Sequence, residues 1–129
     1  MDLFAQPKGK PETIWQQYVP ILQQDNVINA FITQELADPW EYNELKQKLS
    51  SAREYDTINL YINCPGGVVD SAFYIYDAIQ QTKGTVIAHL SGTVASGGTI
   101  ITMACDELVV APFTQFMIHN YSAHGISGY

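Results

Sequence analysis

Basic residues are scarce in this chain. Lysine and arginine together number six against 13 aspartates and glutamates, which gives a formal net charge of -7 over 129 residues. A nucleic-acid-binding surface normally presents a stripe of positive charge to the phosphates, and the sequence contains no such stripe. The composition therefore argues against a nucleic-acid partner.

Cysteines and long apolar runs are also lacking. The two cysteines, Cys64 and Cys105, lie far apart and form no CxxC pair, so we expect buried free thiols rather than a disulfide or a metal site. No apolar run approaches the roughly 18 residues that a membrane span needs. The N-terminus has no apolar signal core. These absences predict a cytoplasmic protein that makes no membrane contact.

The remaining composition is that of one globular domain. Apolar residues make up 47% of the chain and charged residues 15%, which is typical of a folded protein of ordinary domain size. Residues 1–12 contain two prolines and a glycine without any hydrophobic period. We predict a flexible tail over 1–12 and a single α/β domain over 13–129.

Strand and helix patterns alternate along that domain. Asp38, Pro39 and Glu41 predict a capped helix start, with a capping box formed by Asp38 and Glu41. Apolar residues at helical spacing predict further helices after residue 68 and after residue 98. Such alternation is typical of parallel strands joined by right-handed crossovers. The predicted strands cover 27–33, 58–63, 85–90, 108–110 and 115–118.

A glycine turn follows the second predicted strand. The segment Pro65-Gly66-Gly67-Val68 lies between a strand and a helix. Glycines at such a turn allow a ligand to approach the backbone closely, and the helix start beyond them offers unpaired amides. A plain strand-to-helix turn explains the same residues, since glycine is the usual turn residue.

A serine stands among small residues before the third helix. Residues 91–98 predict a turn, and within Gly92-Thr93-Val94-Ala95-Ser96-Gly97-Gly98 the serine Ser96 can be read simply as a helix N-cap. The functional alternative is a nucleophile whose hydroxyl is open to substrate, with the Gly97 amide stabilising an oxyanion. Val94 departs from the GxSxG pattern of the α/β-hydrolases.

A histidine ends the last apolar strand. His119 follows Met117 and Ile118, and most histidines at such positions are structural rather than catalytic. However, sites in open α/β sheets form outside the carboxyl ends of the strands. His119 is therefore a candidate general base.

Three stretches together resemble the proteolytic subunit of the Clp protease family. INLYINCPGGVVDSAFYIYDAIQ is similar to the family's strand, glycine turn and helix, GTVASGG to its nucleophile segment, and ELVVAPFTQFMIHNYSAHGISGY to the strands that carry its histidine. The resemblance covers roughly residues 26–129 and keeps the family order. It implies an α/β fold of the crotonase-like type, a spiral of ββα units.

The resemblance also implies a chemistry. Ser96 matches the family's nucleophile and His119 its general base, while Gly67 and Gly97 match the two oxyanion-hole amide donors. The family cleaves polypeptides through an acyl-enzyme without a metal or cofactor. Its subunits assemble into homo-oligomeric rings, which a partner AAA+ unfoldase supplies with substrate.

Two features depart from the family pattern. The family's catalytic aspartate lies some fifty residues beyond its histidine, whereas no acidic residue follows His119 here. We expect weak or no activity from these 129 residues alone, and we consider Asp106 a remote substitute. Tyr61 matches a residue of the family's unfoldase-docking pocket. Three further pocket positions, usually apolar, carry polar residues, which places unfoldase docking in doubt: Gln81, His89 and Ser91.

Two other functions remain open at this point. A non-catalytic subunit could keep the fold and help to build a mixed ring, as the lack of the aspartate suggests. A crotonase-type acyl-CoA hydratase or isomerase shares the fold and a two-amide oxyanion hole, but it does not need Ser96 and His119 together. The sequence names neither the physiological substrate nor the ring size.

Overall fold

The computed structural model describes residues 13–118, 122–123 and 126–127. The predicted tail over 1–12 lies outside the described residues. Eight strands and three α-helices occur in the described part of the chain. The strands are β1 (Ile21–Gln24), β2 (Val27–Ile32), β3 (Thr57–Cys64), β4 (Thr85–Ala95), β5 (Glu107–Val110), β6 (Gln115–Met117), β7 (Ser122–Ala123) and β8 (Ile126–Ser127). The helices are α1 (Asn43–Ser51), α2 (Val69–Gln81) and α3 (Gly97–Ala104).

The first six strands form one sheet. Its order is β1-β2-β3-β4-β5, and β6 also pairs with β4. β1 and β2 form an antiparallel hairpin, whereas every other pairing in this sheet is parallel. The prediction of parallel strands at 58–63, 85–90 and 115–118 is therefore confirmed, except that β6 ends at Met117. Separately, β7 and β8 pair antiparallel.

β4 is longer than the sequence predicted. Ser91 and Gly92 favour a turn, yet the strand continues to Ala95 through a register shift opposite Ile62 and Cys64 of β3. Gly92 takes a φ of 64° there, which is the positive value that a bulge often needs. Before Gly92 in the sequence, β4 pairs with β5, and after Gly92 it pairs with β6. The prediction of a turn over 91–98 is wrong for residues 91–95, because the irregularity redirects the strand instead of ending it.

The predicted capping box before α1 is also wrong. Pro39–Tyr42 forms a 3-10 turn, and the α-helix begins only at Asn43. Asp38 occupies the cap position but makes no side-chain cap hydrogen bond. Its carbonyl oxygen accepts the Glu41 N–H at 3.0 Å instead. The 3-10 turn closes through the backbone, so it does not need the carboxylate.

One face of the sheet forms the core. Alternate residues of the central strands point into it, because successive side chains of a strand face opposite sides. Buried residues of α2 and α3 pack on the same core, and α2 packs against both α1 and α3. The buried strand residues are Ile21, Ile28, Ala30, Ile32, Ile58, Leu60, Ile62, Cys64, Val86, Ala88, Leu90, Val94 and Ala95.

The other face carries a row of rings across neighbouring strands. Phe31 stacks on Tyr61 with ring centroids 4.8 Å apart, and Tyr61 stacks on His89 at 4.6 Å. Trp15 meets Phe31 edge-on at 5.5 Å. This face is therefore half-buried and aromatic. The longest helix among the described residues, α2, has 13 residues, and no helix there could cross a membrane.

Candidate functional site

Two turns meet at the carboxyl ends of β3 and β4. The strands are neighbours, so the glycine turn after β3 and the serine after β4 emerge at the same edge of the sheet. A Cβ placed on Gly66 would lie 2.8 Å from Ser96 Cβ and 3.2 Å from Ser96 Oγ. Only a glycine lets the two turns approach this closely. The Ser96 hydroxyl therefore lies directly against the glycine turn.

Ser96 has an unusual backbone conformation. Its φ is 51° and its ψ is -118°, a combination that costs a residue with a side chain on the order of 1–3 kcal/mol. Its N–H donates to Met117 O at 3.2 Å, and its carbonyl oxygen accepts the Thr99 N–H at 2.9 Å. These bonds hold the turn on both sides. A similarly strained strand-to-helix turn exposes the nucleophile of the α/β-hydrolases.

The reading of Ser96 as a plain N-cap is not supported. Ser96 stands at the cap position of α3, but its side chain makes no cap hydrogen bond. The side chain is half-buried. The hydroxyl is therefore not used by the helix, and the sharp turn directs it toward Gly66.

Gly67 is fixed by a single parallel bridge to Leu36. The Leu36 N–H donates to Gly66 O at 2.7 Å, and the Val68 N–H donates to Leu36 O at 3.1 Å. In such a bridge the N–H of the central residue points away from the partner. Leu36 follows β2, on one side of β3, whereas β4 and Ser96 lie on the other side, and the bridge to Leu36 does not use the Gly67 N–H.

A side chain at position 67 has no room. The φ of Gly67 is 136°, and a Cβ there would lie 2.6 Å from Leu36 N and also against Leu36 O. Both obstacles are backbone atoms, which cannot rotate away. Gly67 is therefore required for the turn itself, in addition to any role of its amide.

Gly97 opens α3. The first amides of a helix have no partner within the helix, and their dipoles favour negative charge. A Cβ at Gly97 would lie 2.7 Å from Leu36 Cδ1, 3.3 Å from Ala72 Cβ and 3.8 Å from Gly66 Cα. Both predicted donor residues, Gly67 and Gly97, thus adjoin Gly66 and Ser96.

His119 lies outside the described residues, so its relation to Ser96 stays a prediction. The structure does place Met117, two residues earlier in the sequence, in a hydrogen bond to Ser96. Asp106 is excluded as the substitute acid. Its carboxylate accepts the Val86 N–H at 2.8 Å, near the amino end of β4, whereas Ser96 follows the carboxyl end.

Cys64 lies beneath the glycine turn, a position that no sequence pattern indicated. It is fully buried, and its thiol donates to Gly66 O at 3.7 Å. Burial raises the pKa of the Cys64 thiol. Burial also raises the pKa of the half-buried Cys105 to about 12. Both cysteines are free, which confirms that part of the prediction, although only Cys64 is fully buried.

The residues of the predicted docking pocket are spread over the sheet face and the end of α2. Tyr61 and His89 stack on each other, and His89 Nε2 lies 2.9 Å from Asn59 Oδ1. Gln81 and Ser91 are exposed. His89 is half-buried, and its ring extends the aromatic row formed by Phe31 and Tyr61.

A comparison with protein families identifies the relationship. The family model described as Clp protease matches residues 10–128. The chain belongs to the Clp protease family.

Curated relatives agree with that assignment. The ATP-dependent Clp protease proteolytic subunit 2 of Pseudomonas aeruginosa is 41% identical over 75 residues, covering 57% of this chain and 37% of the relative. The proteolytic subunit of Chlorella vulgaris is 29% identical over 116 residues, covering 86% of this chain and 56% of the relative. The chain thus spans roughly a third to just over half of the relatives' length.

Solved structures share the fold. A ClpP1 N165D mutant from Listeria monocytogenes superposes with a TM-score of 0.62 at 29% identity, covering 74% of this chain and 58% of that one. Methylmalonyl CoA decarboxylase superposes with a TM-score of 0.67 at 16% identity, covering 79% and 49%, a likeness of fold alone. The α/β fold is therefore crotonase-like, as predicted.

Proposed function

We propose that this Clp-family chain is the nucleophile-bearing part of a serine endopeptidase subunit. Ser96 is the nucleophile, His119 is the general base, and the Gly67 and Gly97 amides form the oxyanion hole. The conformation of Ser96 is the observation that carries the proposal. A strained turn directs the hydroxyl against Gly66 and away from the helix that it would otherwise cap.

The chemistry follows from this arrangement. His119 takes the Ser96 hydroxyl proton as Oγ bonds to the carbonyl carbon of a peptide, and the Gly67 and Gly97 amides stabilise the oxyanion. The C–N bond then breaks, and His119 gives the proton to the leaving amine. Water attacks the acyl-serine ester in the same way, which releases the acid and restores Ser96. No step needs a metal or a cofactor.

The partners follow from family membership. We propose polypeptide substrates, a homo-oligomeric ring and a cytoplasmic location, the last because both cysteines are free thiols. The docking of an AAA+ unfoldase is disfavoured. His89, Gln81 and Ser91 give the candidate docking face a polar character that an apolar peptide loop would not favour.

A fluorophosphonate probe tests the proposal on the full-length protein. The wild type is expected to be labelled at Ser96, and Ser96→Ala should remove the label. His119→Ala should slow labelling strongly, because the hydroxyl then loses its base. Ser50→Ala, which changes an exposed serine on α1, is the matched control and should label as the wild type does.

Two results would contradict the proposal. Labelling that persists in Ser96→Ala would place the nucleophile elsewhere. A folded wild-type protein that is not labelled would favour the non-catalytic ring subunit.

A further inference from the structure

A short irregular segment supports both predicted oxyanion donors. Residues 35–37, here termed the strap, lie in the connection between β2 and the 3-10 turn before α1. At its centre, Leu36 both donates to Gly66 O and accepts from the Val68 N–H. The strap therefore forms hydrogen bonds with the glycine turn on each side of Gly67.

Leu36 also reaches the second donor. Its side chain is 3% exposed, and its Cδ1 lies 2.7 Å from the position that a Cβ on Gly97 would take. The backbone of one residue thus fixes Gly67, while its side chain packs against Gly97. A shift of the strap would move both amides relative to Ser96.

Three hydroxyls hold the strap in place. The Tyr18 hydroxyl donates to Glu35 O, and the Ser71 hydroxyl donates to Ala37 O. The Ala37 N–H donates to the Tyr42 hydroxyl oxygen at 3.0 Å. Tyr42 and Ser71 are buried at 1% and 0% exposure. A segment with no regular ladder of its own is therefore tied down at both ends by side chains.

We propose that Tyr42 is a positioning residue for the oxyanion hole, acting through the strap on the Gly67 and Gly97 amides. This inference rests on the proposed function, since it assigns a role to the same two donors. Tyr42 touches neither Ser96 nor substrate in this scheme. Its hydroxyl keeps Ala37, and with it Leu36, in register with the glycine turn.

Loss of the Tyr42 hydroxyl would leave the Ala37 N–H without its acceptor. Burial raises the pKa of Tyr42, so the phenol stays neutral at ordinary pH and remains an acceptor for the Ala37 N–H. Phenylalanine keeps the ring but leaves that part-buried amide without its acceptor, and the chain must shift to find another. Oxyanion donors act only when they lie roughly 2.7–3.1 Å from the developing charge.

The test uses the full-length protein and two measurements. The first is the rate of fluorophosphonate labelling of Ser96. The second is the carbonyl stretching frequency of an acyl-enzyme carrying a ¹³C-labelled ester, which falls as the oxyanion hydrogen bonds strengthen. Tyr42→Phe is compared with Tyr74→Phe. The Tyr74 hydroxyl donates to Asn43 Oδ1 at 2.6 Å and makes no hydrogen bond to the strap in the part of the chain that the structure describes.

Tyr42→Phe is expected to slow labelling by about tenfold, since complete removal of one donor costs about 10²–10³ in kcat. Its carbonyl stretch should move to higher frequency. Tyr74→Phe should match the wild type in both measurements. If Tyr42→Phe does not fold, Ser71→Ala removes the hydroxyl on Ala37 O and decides the question by the same two measurements.

Three outcomes separate this inference from the proposed function. Labelling at the wild-type rate in folded Tyr42→Phe would overturn the inference alone. Slower labelling with an unchanged carbonyl frequency would show a general structural role and would also overturn it. A wild-type protein that is not labelled would overturn the proposed function, and the inference would fall with it.

Discussion

Two stretches of the chain meet at the candidate site but are packed very differently: residues 57–105 and residues 107–118. The first stretch, the core segment, buries alternate side chains of β3 and β4 together with one face each of α2 and α3. The second, the outer segment, carries β5 and β6, and all its side chains except Ala111 and Thr114 are exposed. Its exposed apolar residues are Leu108, Val109, Val110, Phe113, Phe116, Met117 and Ile118.

This difference in packing separates the nucleophile and oxyanion donors, here termed the oxyanion half of the site, from the general base. The Ser96 turn and the amides of Gly67 and Gly97 are fixed by close backbone contacts within the core segment and the strap. His119 follows the outer segment, whose side chains make few contacts with the core. We infer that the oxyanion half is preformed, whereas the position of the base depends on what covers the outer segment.

The largest expected effect concerns how the position of the base His119 depends on the chain beyond the outer segment. A chain that continues past residue 129 with the family's aspartate should hydrolyse a fluorogenic peptide far faster than residues 1–129 alone. The acid orients the histidine and stabilises its charged form, and losing that role costs about 10⁴-fold in the serine-protease example. Ser96→Ala in the longer chain should remove the activity.

Equal turnover by the two chains would contradict the comparison. It would mean that residues 1–129 already hold the base in place and that another group replaces the acid.

The second-largest expected effect tests whether the oxyanion half of the site is preformed. Gly67→Ala should lower the rate of Ser96 acylation by about 10²–10³, because the added Cβ meets the Leu36 backbone and displaces one oxyanion donor. Gly84→Ala is the matched control. Its Cβ would lie 2.5 Å from Ile58 Cδ1, the flexible end of a side chain, at the opposite end of β4.

Stopped-flow acylation and thermal unfolding distinguish the two variants. Gly84→Ala should lose some stability and acylate at the normal rate. An equal loss of rate in both variants would show that the fold as a whole, rather than the Gly67 turn, limits catalysis.

A third effect compares the packing of the two segments directly. Leu60 and Leu108 lie in one row of the sheet, since each pairs in register with Ala88. Leu60 is 0% exposed and Leu108 is 54% exposed. Leu60→Ala should cost about 2–5 kcal/mol of unfolding free energy, as buried leucines do. Leu108→Ala should cost less than about 1 kcal/mol in residues 1–129.

Urea unfolding of both variants gives the two values. A cost at Leu108 that approaches the cost at Leu60 would show that the outer segment is covered in solution, for example by a second copy of the chain.

Sequence patterns predicted the regular part of the fold, and they placed the glycine turn and Ser96 after neighbouring strands; the roles of these residues stay a prediction. Strand alternation and the glycine turn placed β3, β4 and α2, because side-chain period and turn chemistry are local properties. The bulge at Gly92 was missed, since only the pairing of β4 with two different strands requires it. The role of the strap was also missed. Leu36 contacts the glycine turn through backbone hydrogen bonds between segments distant in sequence, and the Tyr42 hydroxyl accepts the N–H of Ala37 in an irregular segment; no local pattern encodes either contact.

The smallest effect lies at the junction of the two segments. Cys105 follows α3, and burial, aided by the Asp106 carboxylate, raises the pKa of its thiol to about 12. An unfolded cysteine loses its proton near pH 8.5. Between about pH 8.5 and 12 the unfolded chain therefore binds fewer protons than the folded one, and stability falls as pH rises. The fall due to this thiol is at most about 1.4 kcal/mol per pH unit.

Urea unfolding at pH 7.5, 9 and 10 measures this slope. The partly buried Tyr18 and the buried Tyr42, whose pKa values are also raised, add to the slope in every variant, so the informative quantity is the difference in slope between variants. Cys105→Ala should have a shallower fall than the wild type. Equal slopes would mean that water reaches the thiol and that the close packing of the core segment ends before Cys105.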